Sequence, residues 1–101
     1  MDKNDIKLKI RQAMEEDTLK MNIERVSLFG SYVNGVPRED SDVDLLIEFS
    51  SDARIGFFSL VDIKEDIERI VGKPVDLLTP DAVSEYFKQR VLEQAEVVYE
   101  R

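Results

Sequence analysis

Apolar residues recur along the chain with two different periods, and the switches between them divide it into elements. Up to about Asp17, Ile6, Ile10, Ala13 and Met14 fall at helical spacing among charged residues, which predicts an amphipathic helix. Ile23 to Phe29 reads as a strand ending at Gly30-Ser31. Tyr32-Val33-Asn34 follows as a helical turn that Gly35-Val36-Pro37 stops. From Val43 to Phe49 the pattern alternates, placing Val43, Leu45, Ile47 and Phe49 on one face and Asp42, Asp44, Leu46 and Glu48 on the other. A helix then runs from about Phe57 to Val71 with a stripe of Leu60, Ile63, Ile67, Ile70 and Val71, and Glu65 with Arg69 as an i,i+4 pair. Gly72 stands where a left-handed cap is wanted, and Pro74 prevents the helix from resuming. Val75 to Leu78 is a short strand. Thr79-Pro80-Asp81 offers a cap and an N1 proline to a last helix carrying Val83, Phe87, Val91 and Leu92, and Glu96 to Tyr99 adds a terminal strand.

Strands alternating with helices predict one α/β (α+β) unit over residues 1–101, a small mixed sheet packed against helices. At 101 residues, 43% hydrophobic and 36% charged, the chain can bury one core and has little left for a separate substrate-binding module. A formal charge of -8 argues against direct binding of nucleic acid, whose phosphates are held mainly by Lys and Arg, and suits a basic protein partner. The opening residues lack a secretion-signal pattern and no apolar run spans a bilayer, so the expected location is cytoplasmic, away from membranes.

With no cysteine and no histidine, any metal must be held by oxygen, which favours magnesium, manganese or calcium. Two carboxylates at i and i+2 on a strand share one face, so Asp42 and Asp44 can approach a pair of ions. Asp76, on another strand, is the third carboxylate, able to bind metal and accept a proton from an acceptor hydroxyl. Gly30 lets a backbone approach a triphosphate without a Cβ in the way, Ser31 offers a hydroxyl, and the turn after it presents N–H groups to an anion. Magnesium and such donors are what phosphoryl and nucleotidyl transfer require.

Gly30-Ser31, then Asp42-Val43-Asp44 ten residues on, then an isolated strand aspartate at Asp76, resembles the minimal nucleotidyltransferase family of the DNA polymerase beta-like superfamily, from Ile23 to Tyr99. The resemblance implies a nucleotidyltransferase fold, with Gly30 and Ser31 on the nucleotide phosphates and Asp42, Asp44 and Asp76 as ligands of Mg2+, two ions in number. Asp76 is also implied as base. It further implies an antitoxin that transfers AMP from ATP to a tyrosine hydroxyl of a HEPN-type RNase toxin, held in a hetero-oligomer. The alternative is a subunit that neutralises such a toxin by occlusion without turnover. Asn34 departs from a basic residue common in relatives, and Arg38 is near enough in sequence to replace it.

Simpler readings apply elsewhere. Glu15-Glu16-Asp17 and Glu65-Asp66-Glu68 read as solvated faces, and Phe57-Phe58 and Tyr86-Phe87 as helix-core packing. Tyr32, beside Ser31, is the aromatic best placed to touch a ligand.

Overall fold

The computed structural model describes residues 2–34 and 42–101, and for Ser31 and Asn34 the backbone alone. The predicted stop at Gly35-Val36-Pro37, and Arg38, lie outside the described residues. Helix α1 (Lys3–Glu16) starts at Asp2, whose carboxylate accepts the Asp5 N–H at 2.9 Å. A short 3-10 turn (Lys20–Asn22) leads into β1 (Ile23–Phe29), then α2 (Ser31–Asn34), β2 (Val43–Phe49), α3 (Phe57–Val71) and β3 (Val75–Leu78). A second 3-10 turn (Pro80–Ala82), α4 (Glu85–Gln94) and β4 (Glu96–Glu100) complete the order.

The strands form one sheet in the order β3-β2-β1-β4, with β2 parallel to β3 and the other two pairs antiparallel. Helices α1 and α3 pack on one face. The stripe Ile6, Ile10, Ala13 and Met14 meets Ile63, Ile67 and Val71 over Val26, Leu28, Val43, Leu45 and Ile47, all buried. Burying this many large aliphatic side chains at about 1.5–3 kcal/mol each is the principal stabilising force. Strand alternation leaves Asp44, Leu46 and Glu48 on the opposite face of β2, where Arg25 of β1 clasps Glu48 through Nε at 2.6 Å and Nη2 at 3.2 Å.

Three local expectations are corrected. Thr79 makes no side-chain cap: Pro80–Ala82 forms the 3-10 turn, and Ser84 caps α4 instead, its hydroxyl accepting the Tyr86 N–H, so Val83 lies before the helix. Arg69 pairs with Asp66 at 3.2 Å, an i,i+3 contact, and not with Glu65. Phe57, Phe58, Tyr86 and Phe87 are 71%, 82%, 87% and 50% exposed. They form two edge-to-face pairs at the surface, Phe57 with Phe58 on α3 and Tyr86 with Phe87 on α4, outside the buried cluster.

Gly72 closes α3 at φ +78°, its N–H reaching the Glu68 carbonyl at 2.7 Å, and the Glu68 carboxylate accepts the Val75 N–H at 2.8 Å. These two bonds fix where β3 begins. Gly72→Ala meets open space, so only backbone strain acts on it. The expected loss is about 1 kcal/mol, read as a fall in melting temperature of roughly 4–8 °C.

Candidate active site

Register brings the predicted residues to one end of the sheet. Asp44 lies opposite Phe29 of β1 and beside Asp76 of β3. Neighbouring strands run ~4.8 Å apart, so the two aspartates stand side by side on adjoining strands. Val43 is held to the same end by its N–H to the Pro74 carbonyl at 3.0 Å, and Asp42 precedes it as an exposed residue just outside the strand. Gly30 follows Phe29 directly and turns the chain into α2, the strand-to-helix corner that the pattern predicts.

Gly30 has a second reason to be glycine. Its φ is +76°, and a Cβ built on it would lie 2.2 Å from Asp44 Oδ2 and 3.0 Å from Asp44 Cγ. The Asp44 carboxylate therefore rests against the bare Cα of Gly30, and any side chain there would evict it. This contact is not legible from the sequence, which offers reasons for Gly30 only in the corner and in phosphate approach; the pairing of Phe29 with Asp44 reveals it.

Asp44 is half-buried while Asp42 and Asp76 are exposed. Its carboxyl is pushed above the ordinary aspartate value first by loss of water, then by the charge on Asp76, then by that on Asp42. A carboxyl crowded in this way by neighbouring charge is relieved by a cation. The donors are all hard oxygens, which suits magnesium or manganese, and the chain has no cysteine or histidine to select a softer ion. In their present rotamers no three acidic side chains among the described residues converge into a closed cage. The fit therefore rests on donor type and mutual repulsion.

Tyr32 does not face a ligand: it is 4% exposed and belongs to the core. A cavity of about 560 Å3 is lined by none of the three aspartates. It opens near the other end of β2, between Phe49, Ile55, Phe57 and Pro80.

The family profile described as "Polymerase beta, Nucleotidyltransferase" matches residues 8–101. The chain belongs to this family. A Methanocaldococcus jannaschii protein provisionally named a protein adenylyltransferase is 37% identical over 95 residues, covering 94% of this chain and 96% of its own. The protein adenylyltransferase MntA of Thermococcus cleftensis is 32% identical over 80 residues, covering 79% and 77%. Among solved structures, a provisionally assigned minimal nucleotidyltransferase superposes with a TM-score of 0.76 at 28% identity over 94% of both chains. A chain from the complex of tri-AMPylated Shewanella oneidensis HEPN toxin with MNT antitoxin superposes with a TM-score of 0.70 at 16% identity, over 98% of this chain and 73% of its own, and supports the fold alone. The chain is thus a nucleotidyltransferase of the minimal class, and its mixed four-stranded sheet is that of its relatives. Among the described residues no helix is long and apolar enough to cross a membrane.

Two outcomes follow for this site. Gly30→Ala will slow transfer about 100-fold by displacing the Asp44 carboxylate, beyond any effect explained by its melting temperature, checked by single-turnover kinetics beside a thermal melt. For Asp44, a folded-state pKa above the unfolded one means the charged form is disfavoured in the fold. In metal-free buffer its cost is present at neutral pH and disappears as pH falls through the raised value toward 3.8. Asp44→Asn is therefore expected to melt higher than the native chain at neutral pH, with the gap closing in acid, measured by calorimetry in chelator.

Proposed function

We propose that this chain is a magnesium-dependent protein adenylyltransferase that transfers AMP from ATP to a hydroxyl, a tyrosine in the leading case, of a HEPN-type toxin partner, and so acts as its antitoxin. One observation carries the reading: the register that sets Asp44 between the Gly30 corner and Asp76. Relatives bearing the name protein adenylyltransferase cover most of the chain and support the same activity. The fold shared with an MNT antitoxin bound to an AMPylated HEPN toxin supports the partner class.

In this reading Asp42, Asp44 and Asp76 hold Mg2+, which when bound neutralises charge on the phosphates and on the departing pyrophosphate. Gly30 and Ser31 receive the phosphate chain, with the backbone N–H groups that open α2 turned to the anion. The acceptor oxygen attacks the α-phosphorus of ATP, a P–O bond forms, and the bond to pyrophosphate breaks. The hydroxyl proton passes to Asp76, whose exposed carboxylate stands beside Asp44 and is open to an incoming partner. Half-burial of Asp44 removes water from the reacting centre, and the exposed flank at Asp42 and Asp76 leaves room for a macromolecular acceptor.

Incubation of the chain with its HEPN-type partner, Mg2+ and ATP labelled at the α-phosphate should label the partner, and mass spectrometry should place AMP on a tyrosine. Asp42→Asn with Asp44→Asn should reduce labelling by more than about 100-fold. Unchanged protection of cells by that double variant would instead favour neutralisation by occlusion.

A further inference from the structure

Two of the acids that the sequence reads as solvated faces are not: Asp17 is 9% exposed, and Glu68 is engaged at the end of α3. Glu68 stands in the last turn of that helix, where the helix dipole disfavours an anion, so its place there calls for a compensating contact. The main chain and the side chain are both bonded. The Glu68 carbonyl accepts the Gly72 N–H at 2.7 Å, and the carboxylate reaches across the connection to accept the Val75 N–H through Oε2 at 2.8 Å. Lys64, one turn earlier, donates to the same carboxylate at 3.3 Å. The carboxyl is held below the ordinary glutamate value first by the Val75 bond, so the accepting group is the anion.

The peptide that Glu68 holds is clamped from two sides. The Pro74 carbonyl and the Val75 N–H belong to one planar trans peptide and therefore point in opposite directions. The carbonyl accepts the Val43 N–H of β2 at 3.0 Å, which turns the Val75 N–H to the outer edge of β3, where no further strand lies among the described residues. Glu68 takes the place of that strand. Without it the peptide is held by β2 alone, and β3, four residues long, has few ladder bonds with which to resist a shift at its first residue. The next residue is Asp76, opposite Asp44.

We propose that Glu68 is a positioning residue for Asp76: by holding the Pro74–Val75 peptide against β2, it sets where the Asp76 carboxylate stands relative to Asp44, and through it the affinity for Mg2+ and the rate of transfer. The proposal rests on the reading of Asp76 as metal ligand and base. Glu68 acts through the main chain next to Asp76 and is not itself a ligand. Groups that orient a metal ligand are commonly worth about 10- to 100-fold in metal affinity or activity. The lower figure applies here, since the Pro74 bond to β2 remains when Glu68 is removed.

The test is a cycle of Glu68→Ala and Asp76→Asn in the full chain. It is read as Mn2+ affinity by electron paramagnetic resonance, and as single-turnover transfer from α-labelled ATP to the HEPN-type partner. Glu68→Ala is expected to weaken Mn2+ binding and slow transfer by about 10-fold, Asp76→Asn to do so by more, and the double variant to be no worse than Asp76→Asn alone. Glu68→Gln keeps an acceptor oxygen for the Val75 N–H and should restore most of both. Amide exchange at Val75, fast in Glu68→Ala and slow in the native and Glu68→Gln proteins, reports the bond itself. Glu68→Asp, which keeps the charge and shortens the reach, replaces Glu68→Ala if the latter does not fold. Losses from Glu68→Ala and Asp76→Asn that multiply overturn the positioning role and leave the site reading intact. So does a Glu68→Ala protein that melts lower yet binds Mn2+ and transfers AMP as the native chain does. Native affinity and native transfer in Asp76→Asn overturn the site reading and this role together, so the two failures are told apart.

Discussion

The pairing of Asp44 with both Phe29 and Asp76 is the constraint on which the rest of the site depends. A central strand must satisfy hydrogen bonds on both edges, and alternation sends every second side chain to the face away from the helices. With Val43, Leu45 and Ile47 committed to the core, Asp44 has no choice of face. A slip of one residue would bury the acid and expose the aliphatics, which the core would resist by several kcal/mol. The Asp44 carboxylate is thus positioned by hydrophobic burial on the other side of its own strand.

Gly30 and Glu68 show how the two neighbouring strands are brought to that point. At Gly30 the missing Cβ leaves space for the Asp44 carboxylate and lets the chain turn into α2. At the other edge, the Glu68 carboxylate holds the Val75 N–H. Its pKa is lowered chiefly by that bond and further by Lys64, so the anion that makes the bond is the favoured form. One residue later comes Asp76. A nucleotidyltransferase of this size therefore builds its acidic centre from three strand ends, each fixed by a different local device.

Charge is distributed unevenly over this scaffold. Arg25 joins Glu48 and Glu100 across three strands, and Lys3 and Lys7 tie α1 to Glu96 of β4. Those acids are neutralised within the fold. Asp44 with its two neighbours is left in excess. Repulsion concentrated at one end of the sheet marks where a cation is wanted.

The sequence by itself determined the periodic elements and the chemistry available to them. Alternation over Val43 to Phe49 determined which face Asp44 takes, Gly72 with Pro74 ended α3, and the absence of histidine and cysteine restricted any metal to oxygen donors. Those are consequences of local geometry and residue type, which depend on near neighbours only. Strand order and register depend on partners dozens of residues away. Only the tertiary structure therefore placed Asp44 against Gly30 and Asp76, buried Asp17, withdrew Tyr32 into the core and left Phe57 and Phe58 outside it. Helical spacing can identify an apolar stripe, yet whether space remains beneath it is settled by what the sheet has already filled.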